Sequence, residues 1–279
     1  MLPEYFTQHD TSFYYDIVQR HNIKIFHDSI QKGGEIKDVK YTLNNRTHTF
    51  RLSVDESKEF YEILVLTENN YECVSVYIYK GTKVAELHNM SYNRGCAREG
   101  LSSPGGGKIL LEFMVNHLKQ NKDKYNINRI VLKDNSFIEH PSCPEKLFLA
   151  RFKMIMENTT WYIKHGFKLY DAESNKPSKL MSEVLNHNKK IIDNLKIKDV
   201  EVISILKIMQ KEEKNYSINV EKIKLLCDKN PLFKDLIEAL SMDMKTYYCL
   251  IAYLLKQVFA PINKYNLFDF FGKSYYYDL

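Results

Sequence analysis

Two periodicities divide the chain. From about residue 37 to residue 91 apolar and polar positions alternate, the period-two pattern of strands with one buried face. "DVKYTLNNRTHTFRLSV" alternates on both sides of Asn44-Asn45, which predicts a hairpin with a two-residue turn. Three further runs, 60–66, 71–79 and 83–91, are parted only by "TENN" and "KGT", and breaks that short make neighbouring strands antiparallel. Val74, Val76 and Ile78 share one face of their strand.

"KILLEFMVNHLKQ" switches to the helical period, with Ile109, Phe113 and His117 on one line and Leu110, Met114 and Leu118 beside them. A stripe that wide packs on something large, most simply the sheet. "INRIVLKD" then reads as a strand, so strand, helix and strand form a βαβ crossover with parallel pairing. "CPEKLFLARFKMIMENTTWYIKHG" predicts a second helix, with Pro144 in its first turn and Gly166 at its end, followed by the strand "FKLYD". Beyond "AESNKPSK" the pattern is helical at 179–195, 199–211, 219–226, 231–240 and 246–259, with Asp199 and Asn219 as caps and Pro231 in a first turn.

The expected class is therefore α+β: a mixed antiparallel and parallel sheet with crossover helices, followed by an all-α C-terminal domain. The expected boundaries are a helical or irregular segment at 1–39, the sheet domain at 40–175 and the helical domain at 176–279.

Composition refines this picture in three places. An apolar fraction of 44% is high enough that most of the chain should fold. The net charge is +5, yet all seven arginines precede residue 152, and the 17 lysines from Lys176 onward face 13 acidic residues. The C-terminal part thus lacks the guanidinium fork that reads phosphate and guanine, which disfavours specific nucleic-acid binding. The five cysteines are odd in number, widely spaced and without a CxxC pair, which predicts unpaired thiols in a reducing compartment such as the cytoplasm. Enrichment in Lys, Asn, Ile and Tyr points to an AT-rich genome, that of a parasite or a large virus; if viral, the compartment would be the host cytoplasm. Neither a signal peptide nor a membrane partner is expected, since the longest apolar run, Tyr247 to Leu255, falls far short of the ~20 residues that span a bilayer and reads as a core helix.

The candidate chemistry lies at "SSPGGGKILLEF". Three glycines directly before a helix let an anion approach unpaired backbone amides at the positive end of the helix dipole. A phosphate or pyrophosphate is the expected guest, and a ligand-free glycine turn is the alternative. A nucleotide P-loop is excluded, because Ser102 stands where its first glycine belongs and Ile109 where Ser or Thr belongs. A dinucleotide fingerprint is excluded by Leu110 at its third glycine.

What remains resembles the GNAT superfamily of acetyl-coenzyme A-dependent N-acyltransferases. Gly105, Gly107, Leu110 and Leu111 match its Gln/Arg-x-x-Gly-x-Gly/Ala signature with the apolar pair that follows, with Ser102 in the place of Gln or Arg. "WYIKHGF" matches its Tyr-x-x-x-Gly-Phe ending through Tyr162, Gly166 and Phe167. The likeness covers roughly residues 40–171, and Asn135 lies 27 positions before Tyr162, farther than in the family.

The resemblance implies an acyl-CoA N-acyltransferase-like fold, acetyl-CoA as cofactor, and an amine-bearing small molecule or peptide as acceptor. It implies that Ser103, Gly105, Gly106, Gly107 and Lys108 hold the pyrophosphate. A backbone N–H near Met90 would polarise the thioester, and Tyr162 would be the general acid. Glu86, with His88 beside it on the same strand face, is the candidate base. Arg94 and Arg98 are within reach of a phosphate or simply solvated, and Cys96 has no partner that would make it a nucleophile. Asp134 to Ser136 end a strand where sheet enzymes place ligands, without an assigned role. The other reading is a catalytically inactive fold of this kind used as a binding or structural module, with the C-terminal helices as a surface for a protein partner.

Overall fold

The computed structural model describes residues 35–91, 93–102, 105–141, 143–171, 176–177, 181–212, 218–260 and 265–279. The expected segment 1–39 therefore lies almost wholly outside the described residues, and Ser103 lies outside them too. The class is α+β, with a mostly antiparallel mixed sheet and a helical C-terminal region. Two compact units divide the described residues: those up to Lys133 together with Tyr275–Leu279, and those from Asp134 to Ser274. The dividing point falls after Lys133, whereas the pattern of the chain changes near residue 176.

In the first unit, β1 (Glu35–Leu43) and β2 (Arg46–Glu56) form the hairpin. Asn44 and Asn45 sit at φ 49° and 61°, the two left-handed residues that such a turn requires and that asparagine tolerates. β3 (Phe60–Leu66), β4 (Glu72–Tyr79) and β5 (Val84–Met90) continue the antiparallel order within two residues of the expected ends. Helix α1 (Gly106–Gln120) covers the inner face, where Phe50, Leu52, Ile63, Val65, Val74 and Val76 are buried against Leu110, Phe113, Met114 and Leu118. The Phe50 and Phe113 rings stack at 4.2 Å. After the short α2 (Lys122–Tyr125), β6 (Arg129–Lys133) runs parallel to β5, so the crossover is present.

The second unit opens on a feature that the sequence disguised. Residues 143–148 are not helical: β8 (Cys143–Phe148) pairs antiparallel with β7 (Phe137–His140), and Pro144 lies in a strand. Only then come α3 (Leu149–Glu157) and α4 (Trp161–Lys164), the latter ended by Gly166 at φ 87°. β9 (Lys168–Asp171) pairs with β10 (Lys176–Pro177). The helices α5 (Met181–Ile192), α6 (Ile197–Val200), α7 (Val202–Glu212), α8 (Val220–Lys229), α9 (Phe233–Ser241) and α10 (Met244–Val258) follow. Asn219 caps α8 as expected, accepting from Lys222 N at 3.1 Å. Asp199 and Pro231 do not take their expected places: Asp199 lies inside α6, and Pro231 precedes the Leu232 cap, its carbonyl accepting from Ile197 N.

α10 is the core of this unit, buried around most of its circumference, as a helix apolar on every side must be. The Tyr248 hydroxyl accepts from Leu147 N at 3.0 Å and donates to Ile138 O, holding both strands of the β7–β8 hairpin. Tyr248→Phe should lower unfolding stability by about 1–3 kcal/mol in urea titration, because the buried Leu147 amide loses its acceptor. The two ends of the unit are tied together, with Asp134 N donating to Lys273 O and Gly272 N to Asp134 O. No helix among the described residues is long and apolar enough to cross a membrane.

The cysteines correct the reading of the sequence. Cys73 is bonded to Cys96 and Cys143 to Cys249, with Cα separations of 5.9 and 5.6 Å, so the thiols are not all free. Disulfides persist in oxidising surroundings, which argues against the expected reducing compartment. The partners are 23 and 106 residues apart, so no local spacing announces them. Near the end of the chain, β11 (Ser274–Asp278) lies beside β6. Leu279 N donates to Asn128 O, and Arg129 lies over the Tyr276 ring.

Candidate functional site

The glycine turn is built from the end of β5 onward. Asn93 caps a 3-10 turn at Arg94–Cys96, its Oδ1 accepting from Gly95 N at 2.8 Å. Thr49 N and Oγ1 donate to Glu99 at 2.7 and 2.6 Å, which holds that carboxyl below the usual carboxylate range. Arg98 N donates to Thr49 O, and the Arg98 guanidinium pairs with Asp38 at 2.6 Å. Arg94 packs over Gly100. Both arginines therefore have neighbours of their own.

Gly105 is the N-cap of α1, at φ 113°, a conformation that L side chains adopt only under strain. A Cβ there would meet nothing described within 4 Å, so what selects glycine is the backbone angle, not crowding. Among the described residues no side chain caps the helix. Gly106 N donates to Ser102 O at 2.9 Å, while the amides of Gly107 and Lys108 occupy the next two first-turn positions, which have no partner within a helix. Lys108 Nζ lies 3.6 Å from Glu112, one turn on. Gly105→Ala should cost roughly 1 kcal/mol in denaturant titration, since it forces a left-handed angle on a residue with a Cβ.

The end of β5 has its own geometry. Its parallel ladder with β6 runs through four pairs, from Val84↔Arg129 to Leu87↔Leu132, and stops while β5 continues to Met90. At that point the β4 pairing shifts from Val76↔Leu87 to Ser75↔Asn89, leaving His88 as the extra residue of a bulge. Ser91 N donates to Cys73 O of β4 at 2.7 Å. Strand alternation then aims the Met90 N–H the other way, toward the side on which the β6 ladder has ended.

Glu86 and His88 come together as the sequence proposed, 3.2 Å apart and partly exposed. Cross-strand register also puts Tyr77 between Glu62 and Glu86. Its hydroxyl donates to Glu62 at 2.6 Å, and its ring meets His88 edge-on at 4.9 Å. Burial first, and the Glu62 carboxylate second, raise the Tyr77 phenol well above its usual value. Sequence reasoning missed Glu62 and Tyr77; register counting across the "TENN" and "KGT" turns would have found them.

Tyr162 belongs to the second unit. Thr160 caps its short helix, and the phenol is only 7% exposed, with its ring against Trp161 and Phe167. Burial, and then the charge of Asp134, raise its pKa far above the usual phenol. Asp134, 1% exposed, has its own pKa raised by burial. Ser136 N donates to Asp134 Oδ1 at 3.0 Å and Ser136 Oγ donates to the same oxygen, while Oδ2 has no hydrogen-bond partner among the described residues. The structure thus joins Asp134 and Ser136 to Tyr162 within one unit, and Glu86 to His88 within the other. Among the described residues no group of three His, Cys, Asp or Glu side chains is arranged to hold a metal. Compared with known proteins, the chain matches no family model, no curated protein and no solved structure.

Proposed function

We propose that the first unit binds an acyl-coenzyme A thioester and that the protein transfers its acyl group to an amine, in the manner of the GNAT superfamily that its glycine motif resembles. The observation that supports this most is the early stop of the β5–β6 ladder at Leu87–Leu132, next to the bulge, with the glycine-capped helix following on the same crossover. Strands that part beside a helix N-terminus leave backbone donors for a thioester carbonyl and for a pyrophosphate together.

In this reading the Gly107 and Lys108 amides and the α1 dipole hold the pyrophosphate, and Lys108 adds a charge. The Met90 N–H polarises the thioester carbonyl as negative charge develops on its oxygen. Glu86, with His88 at 3.2 Å, takes the proton from the attacking amine. The resemblance makes Tyr162 the general acid; that phenol belongs to the second unit, where burial and the charge of Asp134 keep it protonated.

A second reading, a module that binds the coenzyme without turnover, is favoured by the burial of the Tyr162 phenol. One experiment separates the two. Acetyl-CoA at about 100 times its Kd should stabilise the protein by roughly 2.7 kcal/mol, and labelled acetyl should then appear on an amine from a panel of polyamines, sugar amines and peptides. Stabilisation without transfer selects the second reading, and no stabilisation sinks both.

A further inference from the structure

The end of β5 and the loop that carries the glycine turn lack the support that a parallel neighbour would give. β6 pairs with β5 only as far as Leu87, so His88–Met90 have β4 on one side and no ladder on the other. The chain then makes fifteen steps from Met90 to Gly105. Beside the Ser91 N to Cys73 O hydrogen bond and the ties of Arg98 and Glu99 to β1 and β2, one covalent link fastens this stretch to the sheet: the Cys73–Cys96 bond, which joins β4 to the 3-10 turn and closes β5 inside one covalent loop. Cys73 lies one residue beyond Val74, the last β4 residue paired with β5, so the bond sits where the ladders end. Around it Cys96, Ala97 and Leu101 are buried, and Gly106 N reaches back to Ser102 O one residue beyond Leu101.

We propose that the Cys73–Cys96 disulfide positions the glycine turn, so that the oxidised chain binds its anionic ligand tightly and the reduced chain binds it weakly. This rests on the acyl-coenzyme A reading given above. The step is a two-electron exchange with a dithiol. The dithiol supplies two electrons and two protons, the Cys73–Cys96 S–S bond breaks to two thiols, and the dithiol closes to its own disulfide. Both sulfurs are buried, so a dithiol reaches them only when residues 93–101 lift from the sheet. The other ties of that segment, Glu99 to Thr49, Arg98 N to Thr49 O and the Arg98 guanidinium to Asp38, anchor it to the β1–β2 hairpin, so that with the bond broken only the backbone pairing of Met90 and Ser91 with β4 holds its β5 end.

The test uses the full chain with Cys227→Ser, which removes the one free thiol and with it the route to disulfide exchange. Acetyl-CoA affinity is measured by calorimetry before and after dithiothreitol, and for Cys73→Ala/Cys96→Ala, with Cys143→Ala/Cys249→Ala as the control. Hydrogen exchange at residues 105–108 is followed in the same samples, without ligand. Reduction should weaken acetyl-CoA binding about tenfold and speed exchange at the turn. The Cys73/Cys96 variant should bind weakly whether or not reductant is present, while the control keeps its response to reductant. Equal affinity in both redox states overturns the proposal and leaves the coenzyme reading standing. If acetyl-CoA does not bind even the oxidised chain, the coenzyme reading falls, and unchanged exchange at the turn overturns the positioning role separately.

Discussion

Breaking the Cys143–Cys249 bond is expected to be the most damaging single chemical change to this protein. The bond closes a chain loop with a separation of 106 residues, and in the loop-entropy account a crosslink of that span stabilises by about 4–5 kcal/mol. It also pins the β7–β8 hairpin to α10, the most buried helix of its unit, beside the Tyr248 hydroxyl that bonds both strands. Cys143→Ala/Cys249→Ala should therefore lower the unfolding free energy by about 4 kcal/mol, read from urea titration. Cys73→Ala/Cys96→Ala, with a loop of 23 residues, should lose about 1 kcal/mol less on the same scale. A pair of equal effects would mean that loop length is not what sets the contribution of either bond.

The second large effect is a loss of stability in acid, traced to His117. This imidazole is buried on α1 between Phe113 and Tyr125, and its Nε2 has no hydrogen-bond partner among the described residues. Burial, then the charges of Lys37 and Lys124, push its pKa down from 6.5 to about 4. The unfolded chain thus takes up a proton near pH 6.5 that the folded chain refuses until about pH 4. Stability is unaffected by this group above pH 6.5, falls as pH drops through that window, and is lower by about 3 kcal/mol once pH 4 is passed. His117→Leu removes the titration. The difference in unfolding free energy between wild type and variant should therefore shift by about that amount between pH 7.5 and pH 4. Parallel pH profiles would rule out His117 as the cause.

Much of the first unit was legible because its determinants are local. The Asn44-Asn45 turn, the short "TENN" and "KGT" breaks and the change of period at Lys108 each fix a neighbouring pair of elements. Glu86 and His88 were findable for the same reason, being two residues apart on one strand. The second unit resisted because its determinants are distant. "CPEKLF" carries a proline and a helix-like apolar spacing, and only Tyr248, a hundred residues later, shows why it is a strand. Asp134 and Tyr162 are likewise brought together by folding and not by spacing. Cysteine arithmetic failed on an odd count, because four of the five pair across the fold and Cys227 is left over.

The tie between Asp134 and Gly272–Lys273 has a consequence for how the protein is made. Residues 134–274 behave as an insertion between two neighbouring strands, β6 and β11, with the ends of the insertion hydrogen-bonded to each other. A ribosome delivers β6 first and β11 only after the whole insertion has been synthesised. At ~5–20 residues per second, the β6 edge then waits roughly 7–30 s for its partner, open to pairing with other chains. The helical unit can fold during that interval, and by joining its own two ends it brings residue 274 back to where residue 133 left the sheet. Nascent chains stalled before residue 274 should accordingly be the aggregation-prone species in translation, and chains stalled well before β6 should not.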